Sequence, residues 1–364
     1  MEILDWIVLS TTLFFIVIYG ALKTKGSANV KDYLLDNNET PWFTVGVSVM
    51  ATQASAITFL STPGQAYHDG MGFVQFYFGL PLAMIVIAYT FIPIYHRLKV
   101  YTAYEYLEQR FNIQTRTLAA ILFLIQRGLG TGITIYAPSI ILSALLGWNL
   151  NMLNIIIGIL VIVYTVTGGT KAVNVTQKQQ MFVIMSGMFI IFFYILANLP
   201  QEVDFSNVLH IAKKKKKMDI LDFSYNPETR YTFWSGITGG FFLMLSYFGT
   251  DQSQVGRYLS GKSVKESQMG LIMNGILKVP MQFFILLTGV MVFVFFQFNP
   301  VPLNFNPNNK AMIEKSAYKG EYHALEQKLD GLSEDKKVIN LLYIDQLNQD
   351  YDNPILRKEL VALS

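Results

Sequence analysis

Residues 48–67 read SVMATQASAITFLSTPGQAY, and they fall across an apolar stretch, 42–62, where a membrane-spanning helix is expected. The stretch nevertheless carries Gln53, a run of small residues, Thr58, Ser61, Thr62, Pro63 and Gly64. Unsatisfied backbone N–H and C=O groups are costly in hydrocarbon, so a helix breaks within a membrane only where protein or a water-filled cavity surrounds the break. Two readings fit. In one, MATQASA unwinds and frees the carbonyls of Ala51 to Ala54 as oxygen ligands for a hard cation such as sodium, as discontinuous helices do in secondary transporters. In the other, an unbroken helix packs closely on a neighbour through its small residues.

The rest of the chain sets the class. Of 364 residues, 52% are hydrophobic, 14% aromatic and only 15% charged, with a mean hydropathy of +0.35, well on the apolar side of a soluble domain. Charge-poor stretches recur at 6–22, 42–62, 73–95, 117–147, 150–168, 179–199, 232–250 and 269–297, near or above the ~20 residues that a bilayer requires. Eight spans and an all-α polytopic membrane protein are therefore expected. Glu2 and Asp5 precede the first apolar run while Lys23 and Lys25 follow it, the reverse of a secretory signal. The first span thus reads as a retained anchor with its N-terminus outside, in the plasma (inner) membrane. Loops then placed inside carry Lys31, Arg97, Lys99, Arg110, Arg116, Lys171, Lys178, Arg257, Lys262 and Lys265, whereas the outside loops 63–72 and 148–150 carry neither Lys nor Arg. The outside segment 200–231 is the exception, with Lys213 to Lys217 in a row; such a run either meets acidic lipid headgroups or forms a solvated turn.

A net charge of +3 names no partner and gives no sign of nucleic-acid binding, and the absence of cysteine excludes disulfides, thiolate metal sites and thiol catalysis. The four histidines are scattered, the glycines at 167–169 lack a phosphate-loop continuation, and no catalytic constellation is visible. Polar groups inside the spans point elsewhere. Arg127 lies about ten residues into its span, and Lys278 lies well inside another, one helical turn after Asn274. A cation at such a depth is a functional candidate by default, placed to pair with an anionic solute or with a carboxylate elsewhere in the bundle. Ser246, Tyr247, Asp251 and Gln252 cluster near the inner end of a further span. Beyond residue 298 the composition changes. Residues 1–298 read as a membrane domain and 299–364 as a soluble outer segment, with short amphipathic helices expected over HALEQKLDGL and KKVINLLYIDQL.

Four segments in order resemble the sodium/solute symporter family: SVMATQASAITFLSTPGQAYHDG, YTAYEYLEQRFN, YTVTGGTKAVNVTQKQQ and MLSYFGTDQSQVGRYLSGKSVKESQ. The resemblance implies a LeuT-like fold, with one extra N-terminal helix before two inverted five-helix repeats around a midplane site, worked by alternating access. It also implies sodium as coupling ion, held by the carbonyls of Ala51 and Ala54, and a small-molecule solute as partner, with no protein partner. Tyr247 matches an aromatic gate beneath the solute, Lys278 a solute-binding lysine of the sugar branch, and Gln53 a first-helix position occupied there by Asn.

The departures from the sugar branch are informative. Positions that bind sugar there read Thr58, Tyr77, Leu80 and Met244 here, so most groups that would hydrogen-bond a hexose are gone, and a site without them rejects a sugar. The wording of the first and fourth segments is closer to the monocarboxylate, multivitamin and iodide branch, which favours an organic anion and gives Arg127 a role beside it. Gln177 replaces an Asp of the signature, so one coupling ion is expected. The resemblance covers one extra and seven core helices, so the fold is expected to be incomplete and the chain is not expected to transport alone. A sodium-coupled symporter of a small organic anion is the leading reading; a sensor that keeps the same fold is the second, and a membrane enzyme is disfavoured.

Overall fold

The computed structural model describes residues 3–23, 30–55 and 57–348. Glu2, Lys25, Ala56 and the final stretch 349–364 lie outside the described residues, as do the side chains of Lys23, Lys31, Tyr164, Thr167, Gly168, Lys171 and Ala172.

Helix follows helix along the chain: α1 (Ile3–Lys23), α2 (Val30–Leu35), α3 (Trp42–Thr52), α4 (Ile57–Asp69), α5 (Met71–Leu98), α6 (Ala103–Arg110), α7 (Ile113–Leu146), α8 (Leu150–Ala197), α9 (Phe205–Lys214), α10 (233–250), α11 (Gln252–Leu259), α12 (Val264–Phe298), α13 (Pro307–Ile313) and α14 (Lys319–Asn348). Among the described residues the single β-bridge joins Thr40 to Gly261. By length and apolarity α5, α7, the Val173–Ala197 part of α8, and α12 suffice to cross a membrane, and α3 with α4 passes the same test as a pair bent by 67°, the geometry of a broken span or a re-entrant loop. Ile3–Thr12 and Leu150–Val163 are apolar but shorter, and α10 is helical over the stretch expected as a span.

Three boundaries differ from the sequence reading. The expected span 42–62 ends at Thr52 and resumes at Ile57, and the new helix runs on through Pro63 and Gly64 to Asp69. Proline is accepted there because it sits in the first turn of a regular helix, after a wide turn over Ile57–Ser61. The stretches 150–168 and 179–199, expected as two spans with a loop between, form the single element α8, interrupted where Gly169 adopts φ 55° and ψ −155°. A Cβ at Gly169 would lie 2.8 Å from Tyr33 Cδ2 and from the Tyr33 carbonyl oxygen, so only glycine permits this approach. Finally, the two short helices expected near the end of the chain are one, α14, of 30 residues. Gly331 sits in its middle without ending it, because a single glycine costs only about 1 kcal/mol and its Leu-, Glu- and Lys-rich flanks are strong helix formers.

The chain divides into two compact units. The first comprises residues up to 59, 74–185 and 223–282. Its core gathers Val45, Val49, Leu80, Met84, Ile87, Phe248, Val255, Tyr258 and Leu271, all fully buried. Helices meet there through glycine: a Cβ on Gly79 would collide with the main chain of Phe241, and one on Gly236 with the Gln75 carbonyl, so α5 and α10 touch backbone to backbone. Gly46 meets the Gly270 carbonyl in the same way, bringing α3 onto α12. The N-terminus of α3 is met by a carboxylate, with Trp42 N–H donating to Glu266, the charge its dipole favours. The second unit comprises 60–73, 186–222 and 283 onward. In it Gly289 lies against the Pro63 main chain, and the Lys213–Lys217 run closes on the start of α5, with Met71 N–H donating to the Lys217 carbonyl at 2.9 Å.

Candidate functional site

The helix break at the start of the first unit is real. Residues 53–55 leave the helix, Ala54 N–H donates to the Ala51 carbonyl at 2.9 Å, and Thr58 N–H to the Ser55 carbonyl at 3.0 Å. The Thr58 hydroxyl donates to the Gln53 carbonyl at 2.9 Å. The Ala51 carbonyl accepts from Gln53 N–H as well as from Ala54 N–H. The Gln53 side-chain oxygen is buried and finds no hydrogen-bond partner among the described residues. The turn gathers main-chain and side-chain oxygens, the hard ligands that a cation such as sodium takes.

The C-terminal half of α3 is pinned by a polar knot that the sequence reading touched only at Gln177, and Arg257 Nη1 reaches into it by donating to Asn174 Oδ1 at 3.4 Å. Ser48 Oγ lies 2.7 Å from Asn174 Oδ1 and 2.8 Å from Gln177 Oε1, and Gln177 Nε2 donates to Thr52 Oγ1 at 3.2 Å. Gln177, where the resemblance expects a carboxylate, thus serves as an amide tie to the helix that breaks. Ser48 and Thr52, one turn apart on α3, carried the only signal in the sequence for this contact.

Tyr77, Met244 and Tyr247 come together with Leu80 in the hydrophobic core of the first unit. Met244 is buried, while Tyr77 and Tyr247 are partly buried against it. An apolar wall thus stands where the sugar branch has polar groups. The Tyr247 hydroxyl accepts from Gln254 Nε2 at 2.9 Å.

The two cations separate. The guanidinium of Arg127 forks onto Asp251, with Nε donating to Oδ1 at 3.2 Å and Nη2 to Oδ2. Nη2 also donates to Ser253 Oγ at 2.8 Å, and the group lies 5.3 Å from the Tyr247 ring centroid. Of the two partners open to Arg127, solute or internal carboxylate, the folded chain supplies the carboxylate. Lys278 has no such partner among the described residues. Its side chain is 1% exposed, and its Nζ makes no hydrogen bond among the described residues. Asn274 and Gln282, one turn before and one turn after it on α12, are fully buried as well. Asn274 Oδ1 and both polar atoms of Gln282 are likewise without partners among the described residues. Asn274 Nδ2 faces Met84 Sδ at 3.7 Å. Gln282 escaped the sequence reading, although the i, i+4, i+8 spacing of Asn274, Lys278 and Gln282 marks one face of one helix.

The corner between α5 and α7 explains the second motif. Glu105 accepts from Tyr101 N–H at 2.9 Å, Glu108 and Glu105 pair with Arg116, and Asn112 caps α7 by accepting from Thr115 N–H at 2.9 Å. Gln252 then joins this corner to α11: Ala103 N–H donates to its Oε1 at 3.0 Å, and its Nε2 donates to the Tyr101 carbonyl at 3.1 Å.

Residues 33–322 match the family described as "Sodium:solute symporter family". The chain is 30% identical over 281 residues to the human sodium/iodide cotransporter, covering 77% of this chain and 43% of that protein. It is 34% identical over 257 residues to the human sodium-coupled monocarboxylate transporter 1, covering 71% and 42%. To the sodium-dependent multivitamin transporter of Oryctolagus cuniculus it is 33% identical over 270 residues, covering 72% and 42%. The chain therefore spans less than half the length of these curated relatives. Among solved structures, a substrate-bound outward-open state of a Na+-coupled sialic acid symporter superposes with a TM-score of 0.75 at 25% identity, over 100% of this chain and 78% of that one. That likeness gives the LeuT-like fold expected from the four motifs, and with the motifs, the broken helix and the family match it places the chain in the sodium:solute symporter family.

Proposed function

We propose that this chain is part of a sodium-coupled secondary transporter of a small organic anion, working by alternating access. The observation that carries the reading is the buried Nζ of Lys278, which has no hydrogen-bond partner among the described residues. An ionised group buried without a counter-ion is strongly disfavoured, and a partner bringing the opposite charge removes that penalty. Arg127 already has Asp251, so Lys278 is the cation that a solute is left to neutralise. Asn274 and Gln282 offer amide groups on either side of it. Gln53, Thr58, Tyr77, Met244 and Tyr247 complete the site as polar cap and apolar wall, which suits a short carboxylate better than a hexose. The names of the relatives, for iodide, monocarboxylate and sialic acid, support an acidic or anionic solute. Sodium is cargo as well as coupling ion, bound through the carbonyls of Ala51 and Ala54. Its binding favours the outward-open state and solute then permits closure.

The Lys/Arg asymmetry of the loops supports a plasma (inner) membrane location with the N-terminus outside, and with α6 and α11 facing the cytoplasm. Residues 1–298 act as the membrane domain, and 299–364 as an outer soluble segment that moves no solute itself. The charged surface of that segment fits this division, with Lys310 paired to Glu326 at 2.7 Å and Lys319 to Glu314 at 3.1 Å.

The test is sodium-dependent uptake of labelled short carboxylates into proteoliposomes holding the longest reading frame that includes these residues. Lys278→Met is expected to lower uptake about 100-fold, the scale of removing one partner of a buried charge pair, while Lys278→Arg keeps part of it. Undiminished uptake in Lys278→Met, or a preference for neutral hexoses, would refute the anion reading.

A further inference from the structure

Three helix ends meet at one cavity in the first unit. Helix α2 ends at Leu35, α5 at Leu98 and α11 at Leu259, and the turns that follow them enclose about 400 Å³. Buried Leu35 and Leu259 give the lining an apolar part, and His96, Lys99, Tyr101 and Lys262 give it a basic, hydrogen-bonding one. No carboxylate of the described residues lines it. Those that flank the turns are engaged elsewhere: Asp36 accepts from Thr40 Oγ1 at 3.2 Å, Glu105 from Tyr101 N–H and Glu266 from Trp42 N–H. Glu39, exposed in the connector from α2 to α3, is not part of the lining. Lys99 and Lys262 are exposed, and neither forms an ion pair among the described residues. Helix carbonyl ends attract such cations, but here they are already capped. His96 carbonyl accepts from Lys99 N–H at 3.2 Å, Tyr95 carbonyl from Val100 N–H at 3.3 Å, and Leu259 carbonyl from Asn38 Nδ2 at 2.6 Å.

We propose that this cavity binds a phosphate monoester, soluble or on a lipid headgroup, with Lys99 and Lys262 on its oxygens and the Tyr101 hydroxyl and His96 beside them. Two ammonium groups on one cavity repel each other, and an anion between them turns that repulsion into two attractions. A phosphate monoester brings a charge of about −1.5 to −2 near neutral pH and three acceptor oxygens, enough for both lysines, whereas a carboxylate leaves one of them unmatched. The volume lies within the range of small-molecule sites, so part of the esterified group can rest on Leu35 and Leu259. The bound phosphate joins the end of α5 to the α11–α12 turn. That turn in turn holds the connector into α3, with Thr40 N–H donating to the Ser260 carbonyl and Lys262 N–H to the Thr40 carbonyl, both at 3.1 Å. Occupancy therefore steadies the entry to the helix that breaks. None of the residues proposed to hold sodium or solute lines this cavity, which makes it a regulatory site. The side of the membrane that it faces rests on the orientation proposed above, and its chemistry does not.

The test is thermal melting of the full chain in detergent micelles at constant ionic strength. Glycerol 3-phosphate is expected to raise the melting temperature saturably, and glycerol to leave it unchanged. Lys262→Gln should raise the half-saturating concentration about tenfold, the scale of one lost charge-assisted contact. Lys99→Asn should act in the same way, and asparagine suits the left-handed backbone there, at φ 52°. Lys265→Gln removes an exposed lysine outside the lining and should leave the response of the parent intact. Micelles doped with phosphatidic acid, against phosphatidylglycerol, identify the source. Stabilisation by phosphatidic acid alone, lost in Lys262→Gln, makes the occupant a lipid headgroup; stabilisation by glycerol 3-phosphate makes it a soluble ester. The proposal is overturned if neither monoester shifts the melting, if Lys99→Asn and Lys262→Gln respond like the parent, or if Lys265→Gln weakens the response as much as they do. Melting is read without sodium or solute, so failure of sodium-driven uptake would remove the symport reading and leave this site, and a missing phosphate response would do the reverse.

Discussion

Lys278 and Arg127 look equivalent in the sequence, each a cation well inside an apolar run. Folding separates them, because Asp251 lies 124 positions from Arg127 along the chain and reaches it only through the packing of α7 on α10. No local pattern could have told which cation finds a carboxylate inside the fold. A third cation behaves differently again. Lys215, in the segment after α9, is 8% exposed, and its ammonium has no hydrogen-bond partner among the described residues. Burial first, and then the neighbouring charges of Lys336 and Lys217, push its pKa down from 10.5 to about 8. Between pH 8 and 10.5 the unfolded chain therefore binds the proton that the folded chain has released. Stability from this group must rise across that window and carry a constant penalty below it. Lys215→Met is expected to be more stable than the parent at pH 7, with the difference shrinking toward about pH 10; equal melting temperatures of the two at every pH would contradict the burial of that ammonium.

At the scale of elements, the sequence showed where helices must be and was poorer on where they stop. Gln53 and a run of small residues left the break at 53–55 open against a close-packed unbroken helix, and the family resemblance favoured the break. The join across Gly169 was not legible, since its left-handed backbone is imposed by Tyr33 of a distant segment. Gly331 is the opposite case, an ordinary helical residue with open space around it. Gly331→Ala is thus expected to stabilise α14 by about 0.5–1 kcal/mol through lost freedom of the unfolded chain, read as a higher melting temperature of the protein. Gly169→Ala should do the reverse and disturb the α2–α8 contact, since the added methyl lands on Tyr33. If both changes raise stability, the strained geometry at Gly169 is wrong.

For the whole molecule, the apolar surface is shared very unequally. The most apolar window of α12 is 56% buried, whereas that of α7 is 6% buried. Leu286 of α12 is fully buried, and Ile133 of α7 is 61% exposed. Truncation to alanine is therefore expected to cost about 2–5 kcal/mol at Leu286 and within about 0.5 kcal/mol at Ile133, measured as melting shifts in micelles; similar losses at both would mean that α7 is packed in a way the described contacts do not include. Composition and the spacing of apolar runs determined by themselves that the chain is helical and lives in a membrane, because hydrocarbon leaves a backbone few other ways to satisfy its hydrogen bonds. Four local motifs determined the family, and with it the broken helix. Only the tertiary structure decided that Arg127 is neutralised by Asp251 while Lys278 is not, that Gln177 ties α3 to α8, and that Tyr77, Met244 and Tyr247 share a wall. Charge pairing and packing depend on which distant residues meet, and no periodicity along one strand of sequence encodes the meeting.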